Sequence, residues 1–351
     1  MDPIARAALR STAALVGAGV AGVAYAGLVE RTWFTLRRFA VPVLPVGAEP
    51  VRVLQVSDLH LTPGQSKKIE WVRSLAALRP DFVVNSGDNL AHVRAVPPLL
   101  RAMEPLMEFP GAFVLGSNDY YAPMPKNPAR YLTRGYAAAP PSRGKLPVRE
   151  LVAGLEAGGW SDLDNARTTV TMGAHRVELV GVNDPHVRFD RYDRVAGPAR
   201  DDVALTMGLV HAPYQRVLDA MTADGAGLVL AGHTHGGQLA VPFYGALVTN
   251  CDLDTGRVKG VSRWWPGAGS TGRRGEVRPS PGRGPVPPSS GRRGEDRPSS
   301  GRRGEVRPSS EAPADAAWLH VSAGLGTSPY APVRFACRPE ATLLTLVARE
   351  P

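Results

Sequence analysis

An α/β fold follows from three features of this 351-residue sequence. Short apolar runs recur at 51–56, 82–84, 112–115, 204–210 and 228–231. Each ends in a polar segment carrying Asp, Asn or His. Helical spacings of apolar residues separate several of the runs. Strand, polar loop and helix in alternation imply parallel pairing, with ligands gathered at the strand C-termini.

The first element is a helix. Residues 12–29 hold no charge; Arg6 and Arg10 precede them, and Glu30, Arg31, Arg37 and Arg38 follow. Roughly 18–20 such residues suffice to cross a bilayer. A single transmembrane helix within 1–30 is the preferred reading. A signal segment cleaved near Ala26 is the runner-up, because Ala24-Tyr25-Ala26 has the small-x-small form of a cleavage site. A buried soluble helix is the third. Positive charge flanks both ends, so the side of the membrane stays open. Val41-Pro42-Val43-Leu44-Pro45 then reads as part of an extended linker, 31–49, since proline disfavours helix there.

The main domain is expected over 50–348. Val51 to Val56 is a strand ending in Ser57-Asp58-Leu59-His60-Leu61. Ile69, Val72, Leu75 and Ala76 mark a helix, which Pro80 closes. Phe82-Val83-Val84 leads to Asn85-Ser86-Gly87-Asp88-Asn89, and a helix around 97–107 follows. Ala112 to Leu115 leads to Gly116-Ser117-Asn118-Asp119. Residues 122–146 read as an inserted loop and 148–157 as a helix. Strands are expected near 168–171, 175–182 and 204–210, the last ending at His211. A helix over about 214–221 precedes the strand 228–231, which ends in Gly232-His233-Thr234-His235-Gly236-Gly237-Gln238. The strands near 318–322 and 341–346 complete the domain.

Residues 272–310 repeat a ten-residue Gly/Arg/Pro/Ser unit. Such a unit has little to bury, so an insertion over 266–315 is expected to be disordered. It also explains the charge. Ten Arg against four acids place +6 of the net +9 in the repeats and leave +3 on the rest. The body is therefore nearly balanced, and no specific nucleic-acid partner is expected; binding through the Arg repeat is the minor alternative. Cys251 and Cys337 are the only cysteines, too few for a disulfide framework or a Cys-rich zinc module.

A lone Asp-x-His or His-x-His says little. Here Asp58 and His60, Asp88 and Asn89, Asn118 and Asp119, His211, and His233 and His235 all follow apolar runs of consecutive strands. Such a mixed imidazole and carboxylate set suits two hard-to-borderline cations, and a pair about 3.5–4 Å apart can clamp a phosphoryl group and activate a bridging water. Asp88 is the natural bridge, because one carboxylate has two oxygens to share.

In order and spacing these motifs resemble the calcineurin-like metallophosphoesterases. The bacterial membrane-linked or secreted branch is the closer likeness, through Asp-Leu-His-Leu, Gly-His-Thr-His-Gly-Gly-Gln and a late Gly-Leu-Gly-Thr-Ser at 324–328, before Pro332-Val333-Arg334-Phe335. The resemblance implies a four-layer αββα sandwich of two mixed β-sheets with a dinuclear centre at one edge. It implies Asp58, His60 and His235 as ligands of one metal, Asp88 as the bridge, and Asn118, His211 and His233 as ligands of the other. The metals would be divalent or iron-type: Mn, Zn, Fe or a mixed pair. The implied activity is phosphoester hydrolysis by a metal-bridging hydroxide, with Asp119, Asp88 and His233 as catalytic residues. A lipid or envelope-related phosphodiester at the membrane is the preferred substrate. Phosphomonoester hydrolysis, or a catalytically weakened metal-binding interaction module, is the alternative.

The third motif departs from the family pattern Gly-Asn-His-Asp/Glu. Aligned without a gap, Ser117 replaces the Asn ligand and Asn118 the His. Shifted by one, Asn118 is the ligand and Asp119 stands for the His. The shift is preferred because a serine hydroxyl is a poor neutral ligand beside an Asn carbonyl. Asp119 then serves as a proton donor only if its pKa is raised. His92, His175, His186 and His320 lie outside the motifs and read as structural or surface residues, His186 being the candidate for a site wall. Lys67 and Lys68 read as a solvated helix start.

Overall fold

The computed structural model describes residues 3–125, 144–269, 306–307 and 312–350, with side chains from residue 10 onward and none for 306–307. The chain begins with helix α1 (Pro3–Ala24), which continues as a π turn over Tyr25–Val29 and a 3-10 turn over Glu30–Thr32. Strand β1 (Thr35–Leu44) and β2 (Val51–Val56) precede α2 (Ser66–Ser74). Then come β3 (Phe82–Asn85), α3 (Val96–Met103), β4 (Gly111–Phe113), the single turn α4 (Ser117–Tyr120), α5 (Val148–Ala157) and β5 (Ser161–Asp162). The second half holds β6 (Ala166–Met172), β7 (His175–Val182), β8 (Leu205–Val210), α6 (Gln215–Ala223) and β9 (Leu228–Ala231). A short hairpin, β10 (Ala240–Val241) and β11 (Gly245–Ala246), leads to β12 (Gly260–Trp264) and β13 (Val306–Arg307). Strands β14 (Ala317–Val321) and β15 (Glu340–Ala348) close the chain.

Two mixed sheets stack in the αββα sandwich. One is six-stranded, in the order β1-β15-β2-β3-β4-β5; the other is seven-stranded, in the order β13-β12-β14-β9-β8-β7-β6. Strand alternation explains the layering. Val51, Val53, Phe82 and Val84 meet Met207, Leu209, Leu228 and Leu230 between the sheets. Leu54, Val56 and Val83 point the other way, onto Val72, Leu99 and Leu155 of the first helix layer. Val210, Val229 and Ala231 likewise face Val217, Leu218 and Met221 of α6. Strands buried on both faces read as unbroken apolar runs, which is why the sequence displays them so plainly.

Two expectations need correction. Part of the expected linker, 31–49, is β1, which pairs in parallel with β15 from Thr35 to Leu44 and buries Val41, Val43 and Leu44. Pro42 is tolerated because β1 is an edge strand. The Lys68 side chain is not solvated: it is buried and its Nζ donates to Leu59 O at 2.6 Å. The repeats at 272–310, apart from the backbone of Val306–Arg307, and most of the loop 122–146 lie outside the described residues.

Among the described residues, one helix, Arg10–Thr32, is long and apolar enough to cross a membrane; it is exposed up to Ala21, while Ala26 and Glu30 near its end are buried.

Candidate metal centre

The parallel strands β2, β3 and β4 of one sheet and β8 and β9 of the other end at the same edge of the sandwich. Their C-terminal loops interlock through the backbone. Asp58 N–H donates to Gly87 O at 2.8 Å, His60 N–H to Asp88 O at 3.0 Å, and Gly232 N–H to His211 O at 2.9 Å. These links bring together the motifs singled out in the sequence.

Two donor groups result: Asp58, His60 and His235 in one, Asp88, His211 and His233 in the other, each with its donor atoms within 4.8 Å of one another. In the first, His60 Nε2 and His235 Nε2 stand 3.2 Å apart. In the second, His233 Nδ1 stands 3.3 Å from His211 Nε2. Asp88 joins them, with Oδ2 3.4 Å from His60 Nε2 and Oδ1 3.4 Å from His211 Nε2. Ring nitrogens that converge on one another, with one carboxylate oxygen turned to each group, fit a pair of cations. His211 is oriented for that role: its Nδ1 lies 2.7 Å from Ser86 O, so Nδ1–H donates there and Nε2 is left for the site.

Burial sets the protonation of the set. It pushes His60 down to about 4, against the opposing charge of Asp88. It also holds His233 and His235 well below the usual histidine range, with neighbouring imidazoles adding to the effect. Neutral imidazoles are what a metal requires. Burial lifts Asp58 to about 6, opposed by His211. For Asp88 the burial penalty is outweighed by the charge and hydrogen bond of His211, so its carboxyl lies well below the usual range. His211 shows the reverse balance: burial lowers it, but Asp88, Asp184 and Asp58 hold it well above the usual range. A cation in the second group would compete with that proton.

The backbone is tightly constrained here. Asp58, His60, Asp88, His233 and His235 all adopt positive φ, between 40° and 69°. Non-glycine residues there cost about 1–3 kcal/mol each, which surrounding structure must enforce. Two glycines permit the crowding. A Cβ on Gly116 would lie 2.3 Å from Asp88 Oδ1, and one on Gly232 would lie 2.1 Å from Ser57 Oγ.

The third motif separates two roles. Asn118 is partly exposed at the centre, its backbone N–H donating to Asp88 Oδ1 at 2.7 Å and its Nδ2 to Oδ2 at 2.6 Å. Asp119 is fully buried, and its carboxylate accepts from three backbone amides: Asp88 at 2.9 Å, Asn89 at 2.8 Å and Gly116 at 2.9 Å. Burial and the charge of Asp88 do raise it, to about 7. Both of its oxygens are engaged in holding the second and third motif loops together. Ser117 is buried, and its amide supports the Asp184 carboxylate.

Of the four histidines outside the motifs, His320 is a core residue, with Nδ1 2.7 Å from Gln55 Oε1. His186 does form a site wall: its ring centroid lies 4.6 Å from that of His233, and its Nδ1 3.0 Å from Tyr214 OH. Sequence reasoning missed Arg334. Its side chain is fully buried, and Nη2 donates to Ala323 O, Gly324 O and Gly326 O while lying 3.4 Å from His235 Nδ1. Its signal was an arginine set between the apolar Val333 and Phe335 beside a glycine-rich turn.

The calcineurin-like phosphoesterase family profile matches residues 51–237, more than half of the chain. The chain is 25% identical over 233 residues to the uncharacterized metallophosphoesterase YkuE of Bacillus subtilis, covering 63% of this chain and 70% of that protein. It is 25% identical over 244 residues to the phosphodiesterase YaeI of Escherichia coli, covering 68% of this chain and 79% of YaeI. It is also 28% identical over 221 residues to a transmembrane protein with metallophosphoesterase domain of Bos taurus, covering 57% of this chain but 44% of that protein. The motif loops at one sandwich edge lie in or next to the matched span, and the chain belongs to the calcineurin-like phosphoesterases, as a metal-dependent phosphoesterase.

Proposed function

We propose that this chain is a dinuclear phosphodiesterase acting on a lipid or envelope-related phosphodiester at a membrane. The observation that carries the dinuclear reading is Asp88, whose two oxygens face the two donor groups at the same 3.4 Å. Asp58, His60 and His235 would hold one cation, and Asn118, His211 and His233 the other, with Asp88 shared. When bound, such a pair supplies Lewis-acid polarisation of the phosphoryl oxygens and an activated water.

The protein's own residues do the positioning. Ser86 O fixes the His211 ring, and the Asp58 carboxylate accepts from His233 N–H at 3.1 Å, so the two histidine loops cannot drift apart. Asn118 orients the Asp88 carboxylate from one side. Holding these groups in place before substrate arrives means that little reorganisation accompanies the reaction. A diester is preferred over a monoester because YaeI carries that activity in its name and because the apolar helix Arg10–Thr32 would keep the domain at a lipid surface.

The test is metal content together with hydrolysis of bis(p-nitrophenyl) phosphate and p-nitrophenyl phosphate, before and after chelation and Mn²⁺ or Zn²⁺ addition. Diester hydrolysis that chelation abolishes and metal restores is expected. A monoester preference would overturn the diester assignment, and one bound metal at full activity would overturn the dinuclear one.

A further inference from the structure

The loop carrying His235 runs directly into an apolar hairpin, residues 239–247. Its tip is open to solvent: Phe243 is 85% and Tyr244 66% exposed, with Leu239, Val241 and Leu247 exposed beside them. Isolated apolar side chains on a surface are ordinary, but a cluster of this size marks a contact surface.

The base of the hairpin rests on residues 331–337. Ala240 N–H donates to Phe335 O at 2.9 Å, and Gln238 Nε2 donates to Ala331 O at 2.7 Å and Val333 O at 3.0 Å. The other side of that segment is fastened to the end of the N-terminal helix. Arg334 N–H donates to Ala26 O at 3.1 Å, Cys337 N–H to the buried Glu30 Oε1 at 2.7 Å, and Phe335 meets the Tyr25 ring edge-on at 6.4 Å. Exposed apolar side chains therefore stand on all three connected pieces: Leu28 and Val29 on the helix, Phe335 on the segment between, and the hairpin itself. Just past the helix, Trp33 is half exposed with the Arg338 guanidinium 3.6 Å over its ring. Aromatic rings at the end of an apolar helix, with arginine beside them, are the composition of a membrane–water boundary next to anionic headgroups.

We propose that hairpin 239–247 seats in the interfacial layer of a phospholipid bilayer beside the C-terminal end of the N-terminal helix. The strut 331–337 would then set the depth of the His235 loop, holding the metal centre at the level of lipid headgroups. This rests on the reading of Arg10–Thr32 as a membrane helix and deepens the lipid-phosphodiester reading of the same centre.

The test uses the full chain reconstituted in phosphatidylglycerol–phosphatidylethanolamine vesicles. An environment-sensitive fluorophore is placed on Phe243→Cys, with Tyr244→Cys as a second site should the first fail to fold; the native Cys251 and Cys337 are buried. The reference label is Asp201→Cys, exposed at the opposite end of β8 from His211. Loss of most of the hairpin emission to a lipid-borne nitroxide, with little loss to aqueous iodide, is expected, and the reverse for the reference. Equal iodide quenching at both labels would overturn the proposal. So would protection from both quenchers with a doubled molecular mass, which would assign the hairpin to a contact between copies. Bis(p-nitrophenyl) phosphate hydrolysis is read separately. Its absence would sink the phosphodiesterase reading without touching the quenching result.

Discussion

Asn118 donates to both oxygens of Asp88, from its backbone to Oδ1 and from its side chain to Oδ2. The third motif is thus tied to the proposed bridge through Asn118, while Ser117 is buried beside it. Asn118→Ala is expected to lower kcat/KM and metal affinity by about 10–100-fold, the usual effect of removing a group that orients a metal ligand. Ser117→Ala should cost clearly less. Parallel metal titrations and diester kinetics check the order, and a larger loss in Ser117→Ala would place the ligand at Ser117.

Asp88→Asn keeps the shape of the bridge and removes its charge. Loss of at least one bound metal is expected, with activity reduced by about 100-fold or more, the scale of removing one preorganised electrostatic group. Elemental analysis with single-turnover kinetics checks it. Unchanged metal content and rate would remove Asp88 from the centre.

Asp119 should act through structure. Its carboxylate holds three backbone amides in two loops, and a charged hydrogen bond contributes about 1.5–3 kcal/mol. Asp119→Ala should therefore lower the melting temperature of the metal-free protein. In the metal-loaded protein the pH–rate profile should keep its shape. A missing limb in that profile would instead assign Asp119 the proton-donor role.

Arg334→Met leaves the carbonyls of Ala323, Gly324 and Gly326 without their shared donor. Gly324 lies against Asp58, where an added Cβ would come within 2.5 Å of the Asp58 Cβ. A loss of about 3 kcal/mol or more is expected, by chemical denaturation. Arg334→Lys should recover only part, because an ammonium lacks the planar fork that reaches several carbonyls.

Asp164, which belongs to neither donor group, supplies a separate pH test. It accepts from Leu115 N–H at 3.0 Å, Tyr120 OH at 3.0 Å and Asn183 Nδ2 at 2.6 Å, and burial lifts it to about 7 from a usual 3.8. The folded state then keeps this proton at pH values where the unfolded state has released it. Asp164 therefore favours folding at low pH and ceases to as pH rises from about 4 to about 7. Relative to Asp164→Asn, the wild-type metal-free protein should lose stability across that window. A pH-independent difference between the two would contradict the shift.

The sequence determined the body of the fold and named the residues of the two donor groups. Runs buried on both faces, such as Leu228–Ala231, have no polar alternation to disguise them, and each ends where a helix spacing or a glycine-bounded polar loop begins. Asp58, His60, Asp88, His211, His233 and His235 were legible because ligand types recurred at one kind of position. Strand β1 was not, because a proline in a short apolar stretch reads as a linker until an edge partner, β15, is known.

Tertiary structure decided what local pattern cannot encode. Asp119 is adjacent to Asn118 in sequence, yet it turns inward to three amides while Asn118 faces Asp88. Arg334 stands 99 residues from His235, and only chain closure makes them neighbours. Asp88 could be nominated as a bridge from its chemistry, but its two oxygens face two histidines only because β2, β3 and β8 end at one edge. Ligand identity is a local property of residue type. Ligand direction depends on backbone dihedrals and long-range hydrogen bonds, and these are fixed only when the two sheets pack.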